Sequence, residues 1–171
     1  MSTFAIQTAR LRLVLESTEG LLARIDAMNP AERAEVSPTW LARVRTATTP
    51  SPWTHGFALV ERGTGAQVGA CGYKGPADSE GAVEIAYGVA PAYRGRGYAK
   101  EAAAALVAHA CGAGVRVVRA HTRPENGASG GVLAACGFQR VGEVMDPEDG
   151  LVWRWELVCA SPGPASPPRA A

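Results

Sequence analysis

Alternating and helical spacings of apolar residues divide this chain into short strands and helices. Apolar and polar residues alternate from Arg10 to Glu16, which predicts a strand. Two helical stretches follow, with Thr18 placed to cap the first and Ser37-Pro38 opening the second with proline at its first helical position. Phe57 to Glu61 and Ala66 to Tyr73 read as a hairpin around Gly63-Thr64-Gly65. A strand from Gly81 to Val89 then runs into a basic turn, Arg94-Gly95-Arg96-Gly97, and an alanine-rich helix continuing from Ala99 through Ala110. Val115 to His121 is a further strand, Ala128 to Cys136 a short helix, and Gly137 to Val144 with Leu151 to Val158 a closing pair. In the last strand Leu151, Trp153, Trp155 and Leu157 share one face, which assigns the tryptophans to the core. The expected architecture is a mixed sheet with helices on both faces.

A strand, a glycine turn and a helix start in that order build an anion site. The glycines let backbone N–H groups approach the anion, and the helix N-terminus adds partial positive charge. Arg94, Arg96 and Lys100 add full charges around the same turn. A P-loop would need Ser or Thr after Lys100, and neither follows it. A dinucleotide fingerprint would need Gly or Ala where Lys100 sits and an acidic residue closing the next strand, where Ala120-His121 stand instead.

Charge confines the picture to that turn. The formal net charge over 171 residues is +1, which removes the electrostatic case for a nucleic-acid partner. No apolar run approaches the roughly 20 residues of a membrane span, and the start lacks a signal-peptide core, so no membrane partner and a cytoplasmic location are expected. Cys71, Cys111, Cys136 and Cys159 show no C-x-x-C spacing, which argues against a zinc or redox pair and predicts reduced, mostly buried thiols; no metal site is expected. Residues 1–159 are read as one domain, and the Pro/Ala-rich stretch 160–171 as a mobile tail.

Arg94-Gly95-Arg96-Gly97-Tyr98-Ala99 fits the Gln/Arg-x-x-Gly-x-Gly/Ala pattern of the GNAT superfamily of acyl-CoA N-acyltransferases. Pro124 to Phe138, with Asn126-Gly127-Ala128-Ser129 near its start and Gly137-Phe138 at its end, resembles that family's Asn-x-x-Ser helix. Thr8-Ala9-Arg10-Leu11-Arg12-Leu13 is similar to the first strand of its ribosomal-protein N-terminal acetyltransferase-like branch, and the resemblance spans roughly residues 8–158. It implies an α/β (α+β) fold, a single GNAT-like domain with a mixed, mostly antiparallel sheet of about six to seven strands and helices on both faces. It also implies acetyl-CoA as cofactor, an amine acceptor as partner, and pairing of two copies through the closing strands.

The resemblance assigns roles residue by residue. Glu84 on the signature strand takes the place of a general base acting through water, and burial among apolar neighbours would raise its pKa. Val89 N–H is the choice for polarising the thioester oxygen, with Ala90 beside it for the pantetheine amides. The pyrophosphate would lie on Arg94, Gly95, Arg96, Gly97, Tyr98 and Ala99. Asn126 would bond the pantetheine arm or cap its helix. Many members carry a tyrosine acid seven residues after that asparagine, where this chain has Leu133; Ser129 is the first substitute, Cys136 and Tyr98 less favoured ones.

From position alone, His109 reads as a helix C-terminal cation, His55 as a solvated loop residue and His121 as a strand-end residue beside the cofactor groove. Glu143, Asp146, Glu148 and Asp149 form an acidic turn that would attract a cationic amine. The resemblance implies a peptide or protein N-terminus or a small-molecule amine as acceptor, and the alternative function is a catalytically weak acyl-CoA-binding sensor or interaction module.

Overall fold

The computed structural model describes residues 3–160. Its strands are β1 (Ala5–Gln7), β2 (Leu11–Leu15), β3 (Gly56–Glu61), β4 (Gln67–Tyr73), β5 (Ala82–Val89), β6 (Val117–Thr122), β7 (Gln139–Asp146) and β8 (Gly150–Val158). Its helices are α1 (Thr18–Asp26), α2 (Pro30–Ala34), α3 (Pro38–Thr46), α4 (Tyr98–Gly112) and α5 (Gly127–Ala135). The strands form one sheet in the order β1-β2-β3-β4-β5-β6-β8-β7. All neighbours pair antiparallel except β5 with β6. That parallel pair requires a crossover, and α4 supplies it.

The sheet has eight strands rather than six or seven. The added one, β1, is three residues long and too short to register as alternation. Ser17 rather than Thr18 caps α1, its hydroxyl accepting from Gly20 N at 3.0 Å. The start of α3 is as expected, with Ser37 accepting from Trp40 N and Pro38 at the first position. Between them α2 is a separate short helix closed by a capping box of Asn29 and Glu32. The stretch expected to be a tail lies, from 161 on, outside the described residues.

Small residues set how closely α4 lies on the sheet. Ala102, Ala103, Ala105, Leu106 and Ala110 are buried against a core that includes Val83 and Ile85 of β5. A second cluster, Leu21, Ile25 and Val44, joins α1 and α3. Odd-numbered Val83 and Ile85 therefore face α4, while Glu84 and Ala86 face cavities walled by α1 and α3. On the closing strand Trp155 and Leu157 pack against the core as expected, whereas Leu151 is exposed and Val152, on the other face, is buried. Gly130 of α5 lies against Trp155 and Gly137, just past the end of that helix, against Leu157, while Leu151 sits at the opposite end of the strand.

Cys111 in the last turn of α4 and Cys159 just beyond β8 form a disulfide, which corrects the expectation of four reduced thiols. The fold brings together cysteines 48 residues apart, a distance on which local spacing carries no information. Cys71 is buried and Cys136 half-buried, both free. Reduction should lower the unfolding free energy by up to about 4 kcal/mol on the chain-entropy scale for a loop of this length. Urea unfolding with and without dithiothreitol measures it, and coincident curves would show that the link adds nothing. Among the described residues no helix is long and apolar enough to cross a membrane.

Candidate active site

After β5 the chain passes through a short 3₁₀ turn, Pro91–Tyr93, to two glycines in left-handed conformations, Gly95 (φ 78°) and Gly97 (φ 82°). Gly97 is the N-cap of α4 and provides no side chain to satisfy the helix's first N–H groups. A Cβ on Gly95 would point into open space. The larger side chains fold away from the turn: Arg94 Nε donates to Val89 O (3.0 Å), Arg96 lies over the Tyr93 ring, and Tyr98 is buried under Arg10. What remains facing outward is backbone, the donor set that suits a pyrophosphate.

Glu101, in the first turn of α4, accepts hydrogen bonds from Thr8 Oγ1, Arg10 N and Arg10 Nε. Burial works against its charge, but these bonds outweigh burial and hold its pKa below the ordinary value. The segment similar to the family's first strand is thus fastened to the start of α4.

Alongside that turn the sheet opens. β5 pairs with β4 as far as Val89, but with β6 only over Ala82–Glu84. Lys74 N donates to Glu84 O and Ala90 N to Val68 O, so even-numbered residues of β5 direct their backbone groups at β4. The N–H groups of Tyr87 and Val89 consequently face the side from which β6 has diverged. Ala90, expected to serve as a cofactor donor, has its N–H engaged by Val68 O, which leaves Val89 for that role. Gly69 of β4 makes this geometry possible, since a Cβ there would lie 2.1 Å from Gly88 O.

Tyr87 reaches across the gap to α5. Its hydroxyl lies 3.0 Å from Ser129 Oγ and its pKa is raised, burial outweighing the bond from Ser129, so the phenol keeps its proton at neutral pH. Sequence reasoning missed Tyr87. The available signal was its position two residues before Val89, on the same side of the strand. Leu133 is fully buried and offers no acid, Cys136 Sγ is turned toward Lys100 O, and Asn126 caps α5 by accepting from Ser129 N.

Glu84 is the last residue of β5 paired with β6, and on the opposite side of the sheet it joins a charged cluster. His121 Nδ1 lies 2.9 Å from Glu84 Oε1 and Lys74 Nζ 2.6 Å from Oε2. Burial pushes the Glu84 pKa upward as the sequence suggested, but His121 and Lys74 outweigh burial and hold it below the ordinary value, reversing the expected direction. Burial likewise opposes the Lys74 cation, and Glu84 with Asp149 and Asp146 overcomes it. Arg154 Nε donates to His121 Nε2 (3.1 Å), which places the neutral ring's proton on Nδ1 beside the carboxylate.

Glu84, His121, Lys74 and Arg154 line a polar cavity of about 440 Å³. Ser37, Trp40, Lys74 and Glu148 are shared with a second cavity of about 260 Å³, walled by Ile25, Met28, Val36 and Ala86 and reaching Tyr87. The acidic turn beside them is internally engaged. Asp146 accepts from the N–H groups of Glu148 and Asp149, Glu148 accepts from Thr39 Oγ1, and Asp149 and Glu35 flank Arg123. Glu143 is exposed on β7.

The other histidines depart from expectation. His55 is fully buried between Thr18 Oγ1 (2.7 Å) and Ser51 N (3.2 Å), and His109 packs among Phe4, Trp53 and Tyr73. Burial lowers both pKa values, so each is a neutral packing residue, not a solvated or helix-terminal cation.

The family described as acetyltransferase (GNAT) domain matches residues 10–139. No curated protein matches the sequence. Among solved structures, a GNAT-family acetyltransferase from Bacillus anthracis aligns at 19% identity and TM-score 0.71, covering 91% of this chain and 98% of that one. A putative ribosomal-protein-serine acetyltransferase from Vibrio cholerae aligns at 21% and 0.67, covering 92% and 99%. A ribosomal L7/L12 α-N-protein acetyltransferase in complex with coenzyme A aligns at 16% and 0.68, covering 91% and 98%. These likenesses establish the shared fold.

Proposed function

The chain belongs to the acetyltransferase (GNAT) family, and from that premise we propose that it moves an acetyl group from acetyl-CoA to a primary amine by direct attack in a ternary complex. The observation that carries the reading is the opening of β5 from β6 beside an uncapped glycine turn. The residues fit the cofactor: the turn from Arg94 to Ala99 would hold its pyrophosphate, and the gap beside Val89 its pantetheine arm. When bound, acetyl-CoA supplies a thioester whose carbonyl carbon takes the amine nitrogen as the C–S bond breaks. Val89 N–H donates to the carbonyl oxygen. Glu84, kept anionic by Lys74 and His121, accepts the ammonium proton through water. Tyr87, bonded to Ser129, is placed to return a proton to the thiolate. Tyr87 fills the role that Leu133 left vacant, which weakens the alternative of a catalytically weak acyl-CoA-binding module.

The acceptor side is more apolar than the acidic turn suggested. Arg123 offsets one charge of the Glu35 and Asp149 pair and Arg24 offsets Glu16, while Glu148, held by the neutral Thr39 hydroxyl, keeps its negative charge at the rim for an incoming ammonium group. The neighbouring cavity of about 260 Å³ is walled by Ile25, Met28, Val36 and Trp40, and suits an α-amine with a small apolar side chain. A thiol-release assay with acetyl-CoA should show amine-dependent turnover, with short peptides bearing an apolar first residue exceeding spermidine in kcat/KM by about tenfold, the value of one or two buried methylenes. A preference for spermidine would reject the apolar acceptor. Absence of turnover across the panel would favour the binding module.

A further inference from the structure

We infer that Arg10 is a further cofactor-binding residue, bracing the glycine turn from the start of the chain and presenting a guanidinium N–H to the pyrophosphate. The inference rests on the acetyl-CoA reading above.

Arg10 immediately precedes β2, far in sequence from the turn it touches. Its Nη1 donates to Arg96 O at 2.8 Å, its Nε to Glu101 Oε2 at 2.8 Å, and its backbone N to Glu101 Oε1 at 2.7 Å. The guanidinium also lies 4.8 Å from the centroid of the Tyr98 ring. One planar group therefore holds the carbonyl between the two glycines, the first turn of α4 and the residue that starts it. The remaining nitrogen, Nη2, has no hydrogen-bond partner among the described residues and would stand 3.2 Å from a Cβ on Gly97. It is the one nitrogen of this group left unengaged, and it borders the backbone read as the phosphate cradle. Thr8, whose carbonyl accepts from Arg62 Nη1 at 2.6 Å, holds the β1–β2 turn in place for it.

Charge gives the contact a second consequence. Glu101 is an acid in the first turn of the very helix whose N-terminus would face the anion. It suits the helix dipole but opposes a phosphate on the same N–H groups. The Arg10 ion pair offsets that carboxylate, so loss of Arg10 would remove a donor, loosen the turn and unmask a repulsive charge together. Lysine keeps the charge but cannot bond Arg96 O and Glu101 in a fixed fork while stacking on Tyr98.

The test compares the full-length protein with Arg10→Ala and Arg10→Lys. Coenzyme A affinity is measured by calorimetry, and kcat/KM is measured with acetyl-CoA and with S-acetylpantetheine, which lacks the pyrophosphate. Arg10→Ala should weaken coenzyme A and lower acetyl-CoA kcat/KM by about tenfold, as for loss of a charge-assisted bond, and leave S-acetylpantetheine turnover unchanged; Arg10→Lys should fall between. Should the alanine variant not fold, the lysine variant carries the same comparison. Unchanged coenzyme A affinity, or equal losses with both thioesters, would overturn the inference and reduce Arg10 to a structural brace. Failure of the wild type to bind coenzyme A would instead overturn the parent reading.

Discussion

A Gly97→Glu variant should lose measurable affinity for coenzyme A while remaining folded. Gly97 sits at φ 82°, ψ 10°, a conformation costing other residues about 1–2 kcal/mol. Its Cβ would press on Arg10 Nη2 at 3.2 Å, so the new side chain must displace the group that braces the turn. The added carboxylate then occupies the uncapped N-terminus as an anion of its own and repels a phosphate directed at the same N–H groups. The expected result is at least about a 100-fold rise in Kd, roughly 2.7 kcal/mol, with a modest fall in Tm. Gly97→Ala separates the causes, since it carries the backbone strain and the Cβ contact with Arg10 without the charge and should lose no more than about tenfold in affinity. Retained affinity in Gly97→Glu would place the anion pocket elsewhere.

Glu84→Gln should lower kcat by about 10²–10⁴, the usual range for a general base, and leave coenzyme A affinity near that of the wild type. Glutamine preserves the shape but cannot accept the ammonium proton, and it leaves Lys74 without its nearest counter-charge. The pH behaviour follows from a depressed folded-state pKa. Such a carboxylate contributes stability that is present above its unfolded pKa and lost as pH falls through the lower folded value. The stability gap between wild type and Glu84→Gln should therefore narrow in acid, below the ordinary carboxylate range of about 4.3. Near neutral pH Glu84 stays ionised, so the rising limb of kcat/KM for the amine should follow the acceptor's own ammonium. Undiminished turnover would remove Glu84 from the chemistry.

The parts of the site legible in the sequence are those that adjacent residues build. A strand, two glycines and a helix start lie within some 20 residues, and their conformations depend on local sterics, so the glycine turn and the helix after it could be read directly, while the donor role of Val89 came only from the resemblance. Thr8 to Leu13 was legible only as a resemblance; its physical role, holding Glu101 and Arg96, appears once the fold brings β2 to α4. The charged cluster belongs to three strands and the loop after a fourth element, and no spacing rule joins Lys74, Glu84, His121 and Arg154. For that reason the Glu84 pKa was expected to move upward on burial alone, when the unseen partners decide its direction. Tyr87 was overlooked because its partner, Ser129, is 42 residues away. His55 and His109 show the same limit from the other side, since burial by distant aromatic and hydroxyl groups makes them neutral. Cys111 and Cys159 meet only because α4 and β8 end at the same edge of the sheet.

The split between β5 and β6 and the turn beside it make up the proposed acyl-CoA site. The most direct measurement is calorimetric titration of the purified protein with acetyl-CoA, with free coenzyme A and NAD as comparators. Saturable binding of both coenzyme A compounds, with no heat from NAD, is the predicted result. An absence of binding by acetyl-CoA and coenzyme A, or equal binding of NAD, would contradict it.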